Sequence, residues 1–84
     1  SYLWRMTKVP NSIKPGTYQH YKGNFYTVIG VATHSEDETK LVVYRPEYGD
    51  RALWVRPLEM FVENVEVDGE AVPRFRYIDE HNPD

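Results

Sequence analysis

Turn-forming residues recur at short intervals along this sequence, and that spacing constrains the fold more than any other feature. Between the turns lie runs rich in β-branched and aromatic residues, which favour extended strands. The runs are TYQHY, FYTVIGVAT, KLVVYR, RALWV and the two arms of VENVEVDGEAVPRF. Each is the length of one strand, and none carries the sustained helical period of a long helix.

This spacing predicts an all-β domain. We expect a small SH3-like barrel or roll of five or six short antiparallel strands, with an OB-like barrel as the alternative. One helical turn is predicted near Pro57–Phe61, because proline is well suited to the first position of a helix. Leu58, Met60 or Phe61 would then plug an open end of the sheet.

Two hairpins are predicted from their turn residues. The pair Asp68-Gly69 indicates a type I′ turn, which places Val65 opposite Val72 and Glu63 opposite Arg74. The first hairpin turns around Gly23, with a two-residue loop at either Lys22-Gly23 or Gly23-Asn24.

Both of these loops give the first hairpin the same distribution of side chains between its faces, because side chains alternate along a strand. Tyr18 and His20 would share a face with Phe25. Tyr26 and Val28 would lie on the opposite face.

The length of 84 residues fits one domain. We expect an extended arm at residues 1–13, one β-roll domain at 14–78 and a flexible tail at 79–84. The sequence has no cysteine, which excludes disulfides and thiolate ligands and favours a cytoplasmic location. No apolar run approaches the roughly 20 residues of a membrane span, and the first residues lack the apolar centre of a signal peptide. No cofactor and no membrane partner are expected.

Charge is distributed unevenly along the chain, whose net charge is -3. Residues 1–35 contain basic residues and no acidic ones, whereas residues 36–84 contain all the acidic residues. Within one small domain the two parts would neutralise each other, and the alternative is that the basic part forms a nucleic-acid interface. Trp4, Tyr18 and Tyr21 would stack on bases while Lys14 and Lys22 contact phosphates.

Seven tyrosines in so short a chain are too many for the core alone, so some are expected at the surface. The function that we predict is a non-catalytic binding module with an aromatic and arginine-lined groove. Its partner would be a peptide, a protein, a small ligand or a nucleic acid. The candidate binding residues are His20, Tyr21, Tyr26, Tyr48, Trp54 and Arg56. Arg56 would bind a carboxylate or phosphate, or else pair with Glu59 or Asp50.

Two alternatives remain open. His20, His34 and Glu36 carry the side chains of a metal site or of acid-base catalysis, which would make the protein a small enzyme or metal-binding protein. Exposed rings and sheet edges also favour self-association, so the chain is either a monomer or a homodimer, and a structural homo-oligomeric subunit is the third hypothesis.

Several unusual short sequence motifs occur in a characteristic order over residues 14–75. They are GTYQHYKGNFY, HSE, LVVY, YGD, LWVRPLEMF and VDGEAVPRF. In these motifs the chain resembles the short bacterial proteins grouped as domain-of-unknown-function family 1653. The resemblance implies a compact SH3-type β-roll that occurs mostly as a stand-alone cytoplasmic protein, and it implies no reaction.

Overall fold

The computed structural model describes residue 10 and residues 12–78. Apart from Pro10, Ser12 and Ile13, the predicted arm at residues 1–13 lies outside the described residues, as does the predicted tail at 79–84. Within the described part, seven short strands and one helical turn follow each other along the chain. They are β1 (Gly16–His20), β2 (Phe25–Thr33), β3 (Lys40–Pro46), β4 (Trp54–Pro57), α1 (Leu58–Phe61), β5 (Asn64–Val67), β6 (Glu70–Pro73) and β7 (Phe75–Ile78).

The predicted all-β fold with one helical turn is confirmed, with seven strands in the described residues in place of five or six. Five strands form an antiparallel sheet in the order β4-β3-β2-β1-β7, and β5 pairs with β6 in a separate hairpin. β4 starts later than the predicted RALWV strand, because residues 51–53 lie in the loop that leads into it.

The register predicted for the first hairpin is wrong by one residue. Tyr18 pairs with Tyr26, and the backbone N–H of His20 donates to the carbonyl of Asn24, which leaves a three-residue connection. Gly23 closes it with a φ of 115°, a left-handed value that favours glycine. This shift of one residue exchanges the two faces of β2. Tyr26 therefore lies on the same face as Tyr18 and His20, and Phe25 lies on the outer face.

The second hairpin is confirmed in the predicted register. Asp68 and Gly69 both have positive φ, as a type I′ turn requires. Val65 pairs with Val72, and Arg74 forms an ion pair with Glu63 at 2.5 Å.

The core lies against the inner face of the five-stranded sheet and consists largely of aromatic rings. Its members are Tyr18, Tyr26, Val28, Val42, Tyr44, Leu58, Phe61 and Phe75. Phe61 stacks on Phe75 with ring centroids 4.1 Å apart, so the helical turn covers the rings of the sheet. Of the three residues predicted to plug the sheet, Leu58 and Phe61 are buried and Met60 is exposed. Each buried side chain of this size stabilises the fold by about 1.5–3 kcal/mol.

Candidate functional site

One end of the sheet gathers the six candidate binding residues. β1 ends there at His20, β3 ends at Pro46, and β4 begins there at Trp54. Because neighbouring strands are antiparallel, the start of β2 and the start of β7 lie at this same end. We call this group the aromatic surface; it comprises His20, Tyr21, Tyr26, Tyr48, Trp54 and Arg56.

Tyr26 forms the floor of the aromatic surface. Its ring centroid lies 5.9 Å from that of Tyr48 and 6.2 Å from those of Trp54 and His20. The ring itself is buried, and its hydroxyl shares a hydrogen bond of 3.1 Å with the Tyr48 hydroxyl. Burial, followed by this hydrogen bond, raises the pKa of Tyr26 to about 12. Tyr26 therefore stays neutral and supports the neighbouring rings, a role different from the ligand-lining one predicted for it.

The outer rings of this surface remain accessible. Tyr21 is 39% exposed, Tyr48 45% and Trp54 42%, although each lies against another ring. Trp54 pairs with Tyr44 across β3 and β4, with ring centroids 5.9 Å apart. These rings are held in place by the core while a large part of each faces solvent.

Arg56 lies among the rings and forms no ion pair with another described residue. Its Nε donates to the Tyr44 hydroxyl at 3.3 Å, and its guanidinium carbon lies 5.7 Å from the centroid of Phe75. The alternative pairing with Glu59 or Asp50 does not occur in the structure, where the ion pairs among described residues involve other side chains. The terminal guanidinium nitrogens can therefore receive a carboxylate in a bidentate manner.

His20 lies where the rings meet a group of basic side chains. Its ring centroid is 4.6 Å from that of Tyr21 and 4.9 Å from that of Phe75. Burial, followed by the positive charges of Arg74, Arg56 and Lys22, lowers the pKa of His20 below its ordinary value. Its Nδ1 accepts the backbone N–H of Lys22 at 3.1 Å, so the neutral ring carries its proton on Nε2 and can donate there.

The predicted metal or catalytic group is not assembled. His34 directly follows β2, while His20 lies next to the start of β2. β2 has nine residues, and the steps between them, at about 3.3 Å each, separate its ends by roughly 26 Å. Among the described residues, no group of three or more histidine, cysteine or acidic side chains could hold a metal ion. The hypothesis of a site built from His20, His34 and Glu36 is therefore wrong on geometry.

The predicted nucleic-acid interface loses one of its rings. Tyr18 is buried, and its hydroxyl donates to the carbonyl of Lys14 at 2.7 Å. Burial also raises the pKa of Tyr18. Trp4 lies outside the described residues, which leaves Tyr21 as the exposed ring of the predicted set.

A cleft that the sequence reasoning missed adjoins the aromatic surface. It has a volume of about 420 Å³ and opens between the outer face of β1 and β7 and the β5–β6 hairpin. The lining residues are Gln19, His20, Tyr21, Gly23, Val67, Val72, Pro73 and Arg76. Turn chemistry predicts that Val67 and Val72 share a face of their hairpin, but no sequence pattern states against which strand that face lies.

The one helix in the described residues has four residues. No helix within residues 10 and 12–78 has the length and apolar character needed to cross a bilayer.

Comparisons with known proteins identify the family. Residues 16–77 match the family described as "Protein of unknown function (DUF1653)". The crystal structure of a protein of this family from Bordetella bronchiseptica is 32% identical in sequence, with a TM-score of 0.75. The match covers 86% of this chain and 95% of that one. None of the curated proteins matches this chain. The family match and the structural likeness agree with the resemblance seen in the sequence motifs, and the chain belongs to the DUF1653 family.

Proposed function

We propose that this protein is a non-catalytic binding module whose aromatic surface holds an extended, acidic segment of a partner protein. The observation that supports it most is the arrangement of Tyr21, Tyr48 and Trp54. Each is about two-fifths exposed while packed against another ring. Tryptophan, tyrosine and arginine dominate the binding energy of protein interfaces, and all three residue types occur here together.

The surface is already organised for binding. Trp54 contacts both Tyr26 and Tyr44, and these two buried rings limit its movement. Tyr48 is restrained by its hydroxyl contact with Tyr26. These rings therefore lose less conformational freedom when a partner covers them than flexible side chains would lose.

Arg56 gives the surface its preference for acidic partners. The guanidinium group lies beside the exposed rings and lacks an acidic partner among the described residues. An aspartate or glutamate in the bound segment would supply one, while neighbouring apolar side chains of that segment pack on Trp54 and Tyr48.

Strand β4 favours an extended segment. It lies at an edge of the five-stranded sheet, where alternate backbone groups of a strand face away from the neighbouring strand. A peptide that adds beside β4 would bind these groups and bring its side chains to Trp54 and Arg56. A small β-roll with one proposed ligand-binding end agrees with the SH3-like fold that the resemblance implies.

We also propose a cytoplasmic location, because the chain has no cysteine.

Selection of random displayed peptides on the immobilised full chain tests this proposal. We expect the selected peptides to combine acidic residues with aromatic or large aliphatic ones. Trp54→Ala should weaken a selected peptide about tenfold or more, and Arg56→Gln should weaken the acidic peptides.

The matched control is Phe25→Ala, because Phe25 is 44% exposed but lies on the outer face of β2. This control should bind as the parent protein does. The proposal is wrong if no sequence is enriched, or if the selected peptides bind Trp54→Ala and the parent protein equally.

Self-association is the competing outcome for the same rings. Sedimentation at several concentrations distinguishes the two. A dimer that Trp54→Ala converts to a monomer would assign the aromatic surface to a second copy of the chain and contradict the proposed peptide site.

A further inference from the structure

We propose that the cleft beside the aromatic surface binds a small carboxylate that carries a short apolar chain. The cleft lies on the outer face of β1 and β7, whereas Trp54 and Tyr48 lie at the end of the inner face. The cleft shares His20 and Tyr21 with the aromatic surface, but Trp54, Tyr48 and Arg56 do not line it, so the two proposals can be tested independently.

One wall of the cleft is apolar and belongs to the β5–β6 hairpin. Val65 and Val72 pair across the two strands and therefore share a face. Val67 lies two residues after Val65, so its side chain points to that same face. Pro73 continues this wall. Ligand pockets in proteins have volumes of roughly 300–1,000 Å³, and the value of about 420 Å³ here suits a ligand of a few carbon atoms.

The opposite wall carries a positioned guanidinium group. Arg76 pairs with Gln19 across β7 and β1, and its Nη2 donates to the Gln19 Oε1 at 2.9 Å. Gln19 is itself anchored, because its Nε2 donates to the carbonyl of Gly23 at 3.2 Å. Arg76 is thus held at the cleft by a chain of hydrogen bonds that leaves most of its N–H groups available.

The charges around the cleft favour an anion at the Arg76 end. Arg76 forms no ion pair within the described residues, where the neighbouring Arg74 takes the carboxylate of Glu63. His20 also lines the cleft, and the side chains of Arg74, Arg56 and Lys22 add positive potential at its ring. Glu70 pairs with Val67 on the hairpin but is not among the residues that line the cleft.

These features together select one ligand chemistry. A carboxylate accepts two parallel N–H bonds from a guanidinium, and a neutral imidazole can donate a further hydrogen bond from Nε2. The apolar remainder of the ligand would lie along Val67, Val72 and Pro73, where its burial contributes to binding. A bare inorganic anion would leave this wall unused.

Titration of the ¹⁵N-labelled full chain with hexanoate tests the inference. We expect saturable shifts of the backbone amides of Gln19, Gly23, Val72 and Arg76. Hexanol, which has the same chain and no charge, should bind about tenfold more weakly or not detectably, and hexylamine should not bind.

Variants identify the groups responsible. Arg76→Met keeps the aliphatic part of the side chain and should weaken hexanoate binding about tenfold, while Arg76→Lys should recover part of the affinity. Trp54→Ala should leave hexanoate binding unchanged, which separates this test from that of the peptide surface. The inference is overturned if hexanoate causes no saturable shift, if hexanol binds equally well, or if a folded Arg76→Met protein binds like the parent.

Discussion

The two ends of strand β2 carry the same local motif in opposite surroundings. At one end, the Nδ1 of His20 accepts the backbone N–H of Lys22; at the other, the Nδ1 of His34 accepts that of Glu36. His20 then packs against aromatic rings, whereas His34 lies in a polar turn with its Nδ1 3.5 Å from the Asp37 carboxylate.

The comparison shows what local sequence determines and what the fold adds. A histidine that accepts the N–H two residues further on organises a turn in both places. Among the described residues, only at the first end do the antiparallel strands bring rings from other parts of the chain to the imidazole. The difference in chemistry therefore arises from neighbours distant in sequence, and it places the candidate sites at one end of the sheet.

The largest expected effect is at the core beneath the aromatic surface. Phe75 is buried and contacts His20, Tyr26, Tyr44 and Phe61. Phe75→Ala should lower the free energy of unfolding by about 3–5 kcal/mol, because it removes these contacts and leaves a cavity. Urea denaturation measures this loss.

The control for this prediction is an exposed strand residue outside the aromatic end. Ile29→Ala, at a side chain that is 50% exposed, should change the stability by no more than about 0.5 kcal/mol. Equal losses from Phe75→Ala and Ile29→Ala would contradict the described core.

An intermediate effect is expected from the hydroxyl pair of the aromatic surface. Tyr26→Phe and Tyr48→Phe each remove the hydrogen bond between the two hydroxyls. Each should cost about 0.5–1.5 kcal/mol of stability. Because both variants remove one shared interaction, the double variant should cost less than the sum of the two. Additive losses in urea denaturation would show that the hydroxyls do not interact.

At the polar end of β2, one substitution is expected to raise the stability of the protein. Glu38 has a φ of 63° in the turn that joins β2 to β3. This conformation is unfavourable for a residue with a side chain, so Glu38→Gly should raise the melting temperature and stabilise the protein by about 0.5–1 kcal/mol. Glu36→Gly, in the same turn but without a positive φ, is the matched control and should not stabilise. A destabilised Glu38→Gly protein would contradict the turn geometry.

The smallest expected effect is a pH dependence of stability that arises from His20. The pKa of His20 lies below its ordinary value of 6.5 in the folded protein. As the pH falls below 6.5, unfolded chains take up a proton at this ring more readily than folded chains do. Stability therefore declines until the pH passes the folded-state pKa, and it is restored above pH 6.5.

Measurements of unfolding at several pH values check this expectation. His20→Gln should reduce the decline between neutral and mildly acidic pH. The assignment to His20 is wrong if this variant shows the same decline as the parent protein.

Turn chemistry explains which parts of the fold could be predicted. Asp68 and Gly69 both tolerate positive φ, so that hairpin was predicted in its correct register, and Pro57 marked the helical turn. The register predicted for the first hairpin was wrong because Gly23 is compatible with loops of two or three residues. A difference of one residue there exchanges the faces of β2 and moves Tyr26 to the face of Tyr18 and His20, where it is buried.

The candidate sites were predictable to different extents. Aromatic residues in excess of what a small core can hold led to Tyr21, Tyr48 and Trp54, because composition alone limits how many rings can be buried. The separation of His20 from His34 required the strand order, and the cleft required the packing of one hairpin against another sheet. Neither is encoded in spacing along the chain.

The aromatic end of β2, rather than its polar end, is proposed to contact a partner, and the indole N–H of Trp54 reports on this most directly. The chain has two tryptophans, and Trp54→Phe assigns the resonance. A selected acidic peptide should shift the Trp54 indole signal to saturation while the amides of Glu36, Asp37 and Thr39 stay in place. A saturable complex that leaves the Trp54 indole unchanged, or that shifts the His34 turn instead, would contradict the proposed binding surface.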